Sequence, residues 1–483
     1  RFVNAQGKAR FVKFHWKPLL GVHQLVWDEA QKIAGKDPDF LRRDLWDAIE
    51  MGNYPEYELG VQIVEEEDEF AFDFDLLDAT KIIPETLVPV RRIGKMVLNR
   101  NPDNFFAETE QVAFHPGNVV PGIDFTNDPL LQERLFSYLD TQLTRLGGPN
   151  FHETPINRPI AEIHNNQRDG YHRMTINEGR VAYHPNSLGD GHPRPTPEEE
   201  GGYRHYAEKV EGRKTRQRSE SFGDHFTQAT IFWNSQSPTE KQHLINAFHF
   251  EVGKVKDMAV RKRMVDMLTN VDGYLAVEVA KGVGVEPPQV STEPRETLVD
   301  PALSMERGEE GTAKTRKVAI LLDQGVNAAE VMEVRKALED AGVATTTVSM
   351  YLGTVHGADG GEIEVEQHYV STASVLFDAV YVPGGRASID SLKTHGEALH
   401  FVSEAFKHCK PVAAMAEGVE LLKAASLPGV KLAGARAGGK AVADQGVVTA
   451  PAGADVGGFA SQFIEAIAQH RHWAREEKGQ VPA

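Results

Sequence analysis

The chain has 483 residues, too many for one ordinary hydrophobic core, so two or more domains are expected. Its 41% apolar and 25% charged residues are those of a soluble globular protein, and no apolar run reaches the ~18 residues that a membrane span requires. A net charge of -18 argues against a general binder of polyanions such as nucleic acid, and a single cysteine, Cys409, excludes a disulfide framework and cysteine-rich metal sites.

The opening RFVNAQGKARFVKFHWKP alternates, turns at Gly7 and alternates again, which predicts a hairpin cut from a larger sheet. Because the first residue is Arg1 and not methionine, an upstream region is expected to be missing. Short strands are predicted at FVKFHW, YELGVQIV, EFAFDF and KMVLN, with one helix from about Asp37 to Glu50 that Asp37 caps and Pro38 enters. Residues 1–98 therefore read as a β-barrel remnant. Residues 99–225 are irregular and rich in Asn, Pro, Gly and His, the pattern of a segment wrapped around partners. Helical periodicity returns in 226–283, where Ser237 and Glu240 form a capping box. Residues 284–314 have the composition of a linker. In 315–483, KVAILL, VATTTVSMY, LFDAVYVPGG and PVAAMA alternate with helical segments, which predicts a parallel sheet covered on both faces.

Within the irregular segment, RLFSYLDTQLTRLGGPNF (Arg134 to Phe151) has a helical period. Arg134, Tyr138, Thr141 or Gln142, and Arg145 fall on one stripe, and Leu135, Leu139, Leu143 and Leu146 on another. One reading is an amphipathic helix with its polar side in water. Another begins with the tyrosine. A phenolate ligates ferric iron, but a phenol with a pKa of about 10 is neutral unless a cation beside it favours the charged form. Arg134 stands one turn away to do so.

This stretch resembles the proximal haem helix of the haem catalases, whose iron ligand is a tyrosine. KFHWKP, MVLNRNPDNFFAE, AFHPGN, PGIDFTNDPLLQ, HNNQRDG and the helical part to about Val283 are similar to catalase in the same order. The C-terminal extension is similar to that of large-subunit catalases, so the resemblance covers nearly the whole chain. It implies an α+β catalase core (antiparallel β-barrel remnant, wrapping segment, helical domain) followed by a flavodoxin-like α/β domain. It also implies haem, either b or an oxidised d-type derivative, and dismutation of hydrogen peroxide to water and oxygen by a homotetramer of the oxidative stress response. Neither nucleic acid nor membrane is an expected partner, and the cytoplasm is the favoured location.

Carried over residue by residue, the resemblance makes Tyr138 the axial iron ligand and Arg134 the residue that keeps its oxygen anionic. Arg145 matches an arginine that pairs with a haem propionate. Phe114, Leu130, Ser137, Thr141 and Gln142 match residues packed on or near the ring, and glutamine at 142, where small-subunit catalases generally have histidine, agrees with the large-subunit group. His115, taken alone, is a turn or hydrogen-bonding residue. In some large-subunit catalases the matching histidine bonds through a ring nitrogen to the β-carbon of the axial tyrosine, here Tyr138. His15, His152, His164 and His172 lack the spacing of a metal cluster and read as structural.

The family's distal histidine and asparagine belong upstream of its RFVN-like strand, where this chain starts. The chain is therefore expected to hold the proximal half of the site, with no catalytic residue beyond the support of Arg134, and to be inactive alone. The alternative is a non-catalytic assembly or stabilising module. A third reading arises from YVPGGRA and PVAAMAEGVELL, which resemble the class I glutamine amidotransferase-like superfamily. There a cysteine occupies a strained strand-to-helix elbow beside a glycine-rich oxyanion site. The elbow position here is Ala416, so the nucleophile is absent. Glu330 and Glu417 are then acids without a nucleophile, Gly384 and Gly385 serve turn geometry, and Cys409 is an ordinary semi-buried thiol.

Overall fold

The computed structural model describes residues 1–161, 163–188, 193–213, 215–218, 220–306, 311–434, 439–475 and 481–483. Parts of the expected wrapping segment (162, 189–192, 214 and 219), linker (307–310) and C-terminal domain (435–438 and 476–480) lie outside these. The chain divides into two compact units, Arg1–Lys17, Tyr57–Phe232 and Thr297–Asp300 in the first, and Pro18–Glu56, Trp233–Glu296 and Pro301–Ala483 in the second.

The predicted hairpin forms. Strands β1 (Phe2–Val3) and β2 (Ala9–Pro18) pair antiparallel with Phe2 opposite Arg10. Gly7 turns between them at φ 76°, a conformation open to glycine at little cost. Two helices follow where one was expected, α1 (Trp27–Lys36) and α2 (Phe40–Glu50). The first escaped the sequence because Val26 at its N-cap offers no side-chain acceptor. The second starts later than predicted, since the Asp37 carboxylate accepts from the Asp39 amide (3.1 Å) and Arg43 Nε (2.8 Å) and does not cap the helix. Strands β3 (Glu56–Glu65) and β4 (Arg91–Val97) complete a sheet of order β1-β2-β3-β4. EFAFDF is not a strand. Its alternation has no ladder partner, and Phe72 and Phe74 pack on each other at 5.3 Å.

Helix α3 (Pro129–Arg145) carries the Arg134–Tyr138 stripe. It begins where Pro129 takes the first helical position and Asp128 accepts the Leu130 amide at 2.9 Å, and Gly147 at φ 78° turns the chain away after its end. After long irregular chain come α4 (Thr227–Ser235), α5 (Pro238–Gly253), α6 (Met258–Leu268) and α7 (Gly273–Val283). The predicted capping box opens α5, and Glu240 also accepts from Ser304 Oγ and the Met305 amide, both at 2.7 Å, which fixes the far end of the linker.

The C-terminal part contains β5 (Lys317–Leu321), α8 (Ala328–Asp340), β6 (Ala344–Ser349), the hairpin β7 (Gly353–His356) and β8 (Glu362–Val365), β9 (Gln367–His368), β10 (Ala379–Val382), α9 (Arg386–Leu392), α10 (Gly396–Lys407), β11 (Val412–Met415), α11 (Gly418–Ala424), β12 (Val442–Asp444), β13 (Val447–Ala450) and α12 (Val456–Ala468). The sheet order is β12-β13-β11-β10-β5-β6-β9, parallel except for β12. Within it β6-β5-β10-β11-β13 follows the flavodoxin order. Strand alternation builds two cores. Val318 and Ile320 face α8 and α12 through Val334, Leu338, Phe459 and Phe463, whereas Ala319 and Leu321 face α9 to α11 through Ile389, Phe401 and Leu422.

Candidate functional site

On α3 the sequence stripe becomes a set of contacts. Arg134 Nη2 donates to Tyr138 Oη at 3.2 Å, and the guanidinium carbon lies 4.9 Å from the tyrosine ring centroid. The i,i+4 spacing on α3 places the cation against the phenol. Tyr138 is half-buried, while Arg134, Ser137 and Thr141 are exposed. Phe114 and Leu130 are also exposed, at 74% and 52%, so apolar surface accompanies the phenol.

His115 is tied to the helix. Its Nδ1 accepts from the Gly117 amide at 2.9 Å, so its hydrogen sits on Nε2, which donates to Leu135 O at 3.0 Å. Leu135 precedes Tyr138 by three residues. Gln142 is buried, donating weakly to Phe114 O (3.4 Å) and accepting from Arg145 Nη2 (2.5 Å). Arg145 is occupied by protein, because its Nη2 donates to Val112 O at 2.6 Å and its Nη1 to Glu110 O. Arg145 and Gln142 thus fasten the irregular segment before His115 to the end of α3, and a propionate would share Arg145 with these carbonyls.

Three anchors behind the helix were not read from the sequence. The Asp124 carboxylate is closed to solvent and accepts from Tyr203 Oη (2.6 Å), the amides of Phe125 and Tyr206 (both 2.7 Å) and His205 Nδ1 (3.0 Å). Burial first, then this hydrogen bond to the carboxylate, pushes the Tyr203 phenol up to about 12. Asn157 accepts the Ala113 amide at 2.7 Å and donates to Gln111 O at 2.8 Å. Asn150 of GGPNF accepts from Gln167 of HNNQRDG at 2.6 Å, so two motifs distant in sequence meet. A lone Asp or Asn in a loop gives no periodic signal, and apart from the adjacent Phe125 amide the partners named here lie 17 to 82 positions away in sequence.

The C-terminal elbow keeps its geometry. Ala416 stands at φ 48°, a left-handed conformation costly for a residue with a Cβ. Gly384 and Gly385 do serve a tight turn, since a Cβ at Gly385 would lie 2.5 Å from Gly325 O. Their amides are also engaged, Gly384 N with Glu330 Oε1 at 2.8 Å and Gly385 N with Glu417 Oε2 at 3.1 Å. Glu330 further accepts from Tyr381 Oη at 2.9 Å, and burial raises its carboxyl above the usual range. The groups that would hold an oxyanion already hold the chain's own carboxylates. Cys409 is fully buried, not semi-buried, at φ 59°.

The family model for catalase matches residues 1–190, that for the catalase-related immune-responsive domain residues 219–283, and that for the C-terminal domain found in long catalases residues 314–477. Catalase-2 of Bacillus subtilis is 58% identical over 98% of this chain and 67% of its own length. Catalase HPII of Mycobacterium avium is 51% identical over 100% of this chain and 68% of its own. The chain belongs to the catalase family. It spans about two thirds of the length of these relatives, and the third similarity, 46% to Catalase-1 of Neurospora crassa, covers 99% of this chain and 66% of that protein. Membership brings the expected oxidoreductase activity, decomposition of hydrogen peroxide, and the family's haem cofactor. Among the described residues no helix is long and apolar enough to cross a membrane.

The residues fit a haem. A half-buried phenol with a guanidinium on its oxygen would offer an oxygen donor to the iron, and the exposed Phe114 and Leu130 would offer apolar surface to a flat ring.

Proposed function

We propose that Tyr138 is the axial ligand of haem iron in this catalase and that Arg134 keeps its oxygen anionic. The observation that carries this is the 3.2 Å contact from Arg134 Nη2 to Tyr138 Oη on a helix whose surroundings match the catalase family. Bound haem supplies the redox chemistry by which two molecules of hydrogen peroxide become two of water and one of oxygen. The chain's own residues orient it. Phe114, Leu130, Ser137, Thr141 and Gln142 would pack on or near it, and Arg145, which braces Val112, would pair with a propionate.

His115 suits a cross-link to Tyr138 because its tautomer leaves Nδ1 without hydrogen. Forming the bond removes one hydrogen from the tyrosine β-carbon and one from the imidazole, and one hydrogen peroxide accepts both as two waters. The haem is b or an oxidised d-type derivative. A homotetramer is the proposed assembly, supported by the wrapping segment, where Ile160, Ile176 and Val210 are almost fully exposed. The cytoplasm is the proposed location.

The test is Tyr138→Phe, which keeps the ring and removes the donor oxygen. In the full-length, haem-loaded protein, loss of the haem absorbance and of peroxide turnover is expected, with circular dichroism unchanged. Retention of both by the variant would refute the assignment.

A further inference from the structure

Phe114 and His115 stand on a stretch, residues 111–115, that belongs to no helix or strand, so something other than a ladder holds it. Its backbone is taken up by side chains, and the partners alternate. The carbonyls of Glu110, Val112 and Phe114 accept from Arg145 and Gln142 on α3. Between them, Gln111 O accepts from Asn157 Nδ2 at 2.8 Å, and the Ala113 amide donates to Asn157 Oδ1 at 2.7 Å. A single side-chain amide, its donor and acceptor both engaged, thus replaces the neighbouring strand that this segment lacks.

Asn157 is itself held. Its Nδ2 also donates to Thr154 Oγ1 (2.7 Å) and Phe151 O (3.3 Å), and its backbone amide donates to Thr154 O at 2.9 Å. Each of these bonds goes to the chain, so Asn157 acts on the site through the segment it grips. The segment carries two site residues at its end. Phe114 exposes most of its ring directly after Ala113, and His115 Nε2 donates to Leu135 O of α3 at 3.0 Å. On the far side of His115 the Gly117 amide donates to Nδ1 at 2.9 Å, and a Cβ at Gly117 would lie 2.7 Å from the imidazole. The histidine has little room to turn, so a shift of the segment on Asn157 moves Phe114 and His115 together.

We propose that Asn157 is a positioning residue of the haem site, setting where Phe114 and His115 stand against α3 and so how firmly haem is held. The inference rests on Tyr138 as the axial ligand.

The test follows haem loss from the full-length, haem-loaded protein to excess apomyoglobin, at a temperature where far-ultraviolet circular dichroism shows each variant folded. Asn157→Asp is nearly isosteric and keeps the acceptor for Ala113, but it turns an oxygen toward Gln111 O and Phe151 O. At about pH 8 haem should leave it about tenfold faster than the parent, the worth of one or two hydrogen bonds, with a shifted Soret band. The two carbonyls raise the new carboxyl above its ordinary pKa, and protonation restores a donor, so the ratio to the parent should shrink toward one near about pH 5. Asn157→Ala, which removes both bonds, should lose haem rapidly at either pH. Tyr138→Phe separates this inference from the assignment beneath it. If that variant loses its haem while both Asn157 variants release theirs at the parent's rate, the role of Asn157 is refuted and the ligand assignment stands. Faster release only on unfolding, with an unmoved Soret band, would make Asn157 merely structural and refute the role too. Retention of haem by Tyr138→Phe would overturn both.

Discussion

Glu29→Gln should destabilise the second unit severely. Glu29 lies on α1 with its side chain 1% exposed, and one oxygen, Oε1, meets both Lys410 Nζ and Arg471 Nη2 at 2.8 Å. Lys410 and Arg471 are equally buried, at 1% and 2%. Lys410 has two further acceptors, Ser374 O and Phe377 O at 2.9 and 2.6 Å, but these are dipoles. Burial alone would raise the Glu29 carboxyl, yet Lys410 and Arg471 outweigh it and hold the group below the usual range. Glutamine keeps the shape and an acceptor oxygen while removing the charge, leaving two buried cations uncompensated. Breaking a buried pair in this way costs about 3–5 kcal/mol. At about 2 °C per kcal/mol, the low end for a domain of this size, the melting temperature should fall by roughly 6–10 °C. Near-ultraviolet circular dichroism of the full chain is the assay. A double-mutant cycle with Lys410→Met should recover part of the loss, since it removes one orphaned cation. A shift within about 1 °C for Glu29→Gln would show that the cluster is solvated or rearranged and would refute the reasoning.

Asp124→Ala should cost about 3 kcal/mol by stranding four donors, and Tyr203→Phe about 1 kcal/mol, both read as faster proteolysis within residues 193–213. Acid should loosen the second unit before its carboxylates titrate. Burial lowers His408 and His470, and burial with Arg475 lowers His472 to about 4. These groups are neutral in the fold, while the unfolded chain takes up their protons below about pH 6.5, so stability is full above that pH and falls as pH drops toward 4. Melting curves from pH 7.5 to 4.5 check this, and His472→Gln should flatten the decline. Ala416→Cys should not create a hydrolase, because Glu330 and Glu417 already occupy the elbow amides. Appreciable p-nitrophenyl ester cleavage by that variant, absent from the parent, would show the elbow to be open.

The sequence was legible where one element dictates its own partners. The continuous apolar run in KVAILL, followed by a helical segment, announced a buried strand, and the pleat sends Val318 and Ile320 to one core and Ala319 and Leu321 to the other. The capping box at Ser237 and the Arg134–Tyr138 pair are equally local, because the helix period alone fixes their geometry. EFAFDF shows the limit of local pattern. Alternation is necessary for a strand, but a ladder also needs a neighbour, and none is placed beside Phe70 to Phe74.

The least legible features are those whose meaning depends on distant partners. WDEAQKIAGK is not predicted as a helix from its sequence, and nothing in it distinguishes Glu29 from Asp28. In the folded chain Glu29 is sealed against Lys410 and Arg471, while Asp28 accepts from His408 at 2.8 Å. Helix α1 is therefore bound to the C-terminal domain by charge and not by an apolar stripe, since Glu29 and Ile33 are its buried positions. Such a contact is intolerant of losing one partner. A hydrophobic seam would degrade gradually under substitution, whereas each member of this cluster is needed to keep another from becoming an unpaired buried charge.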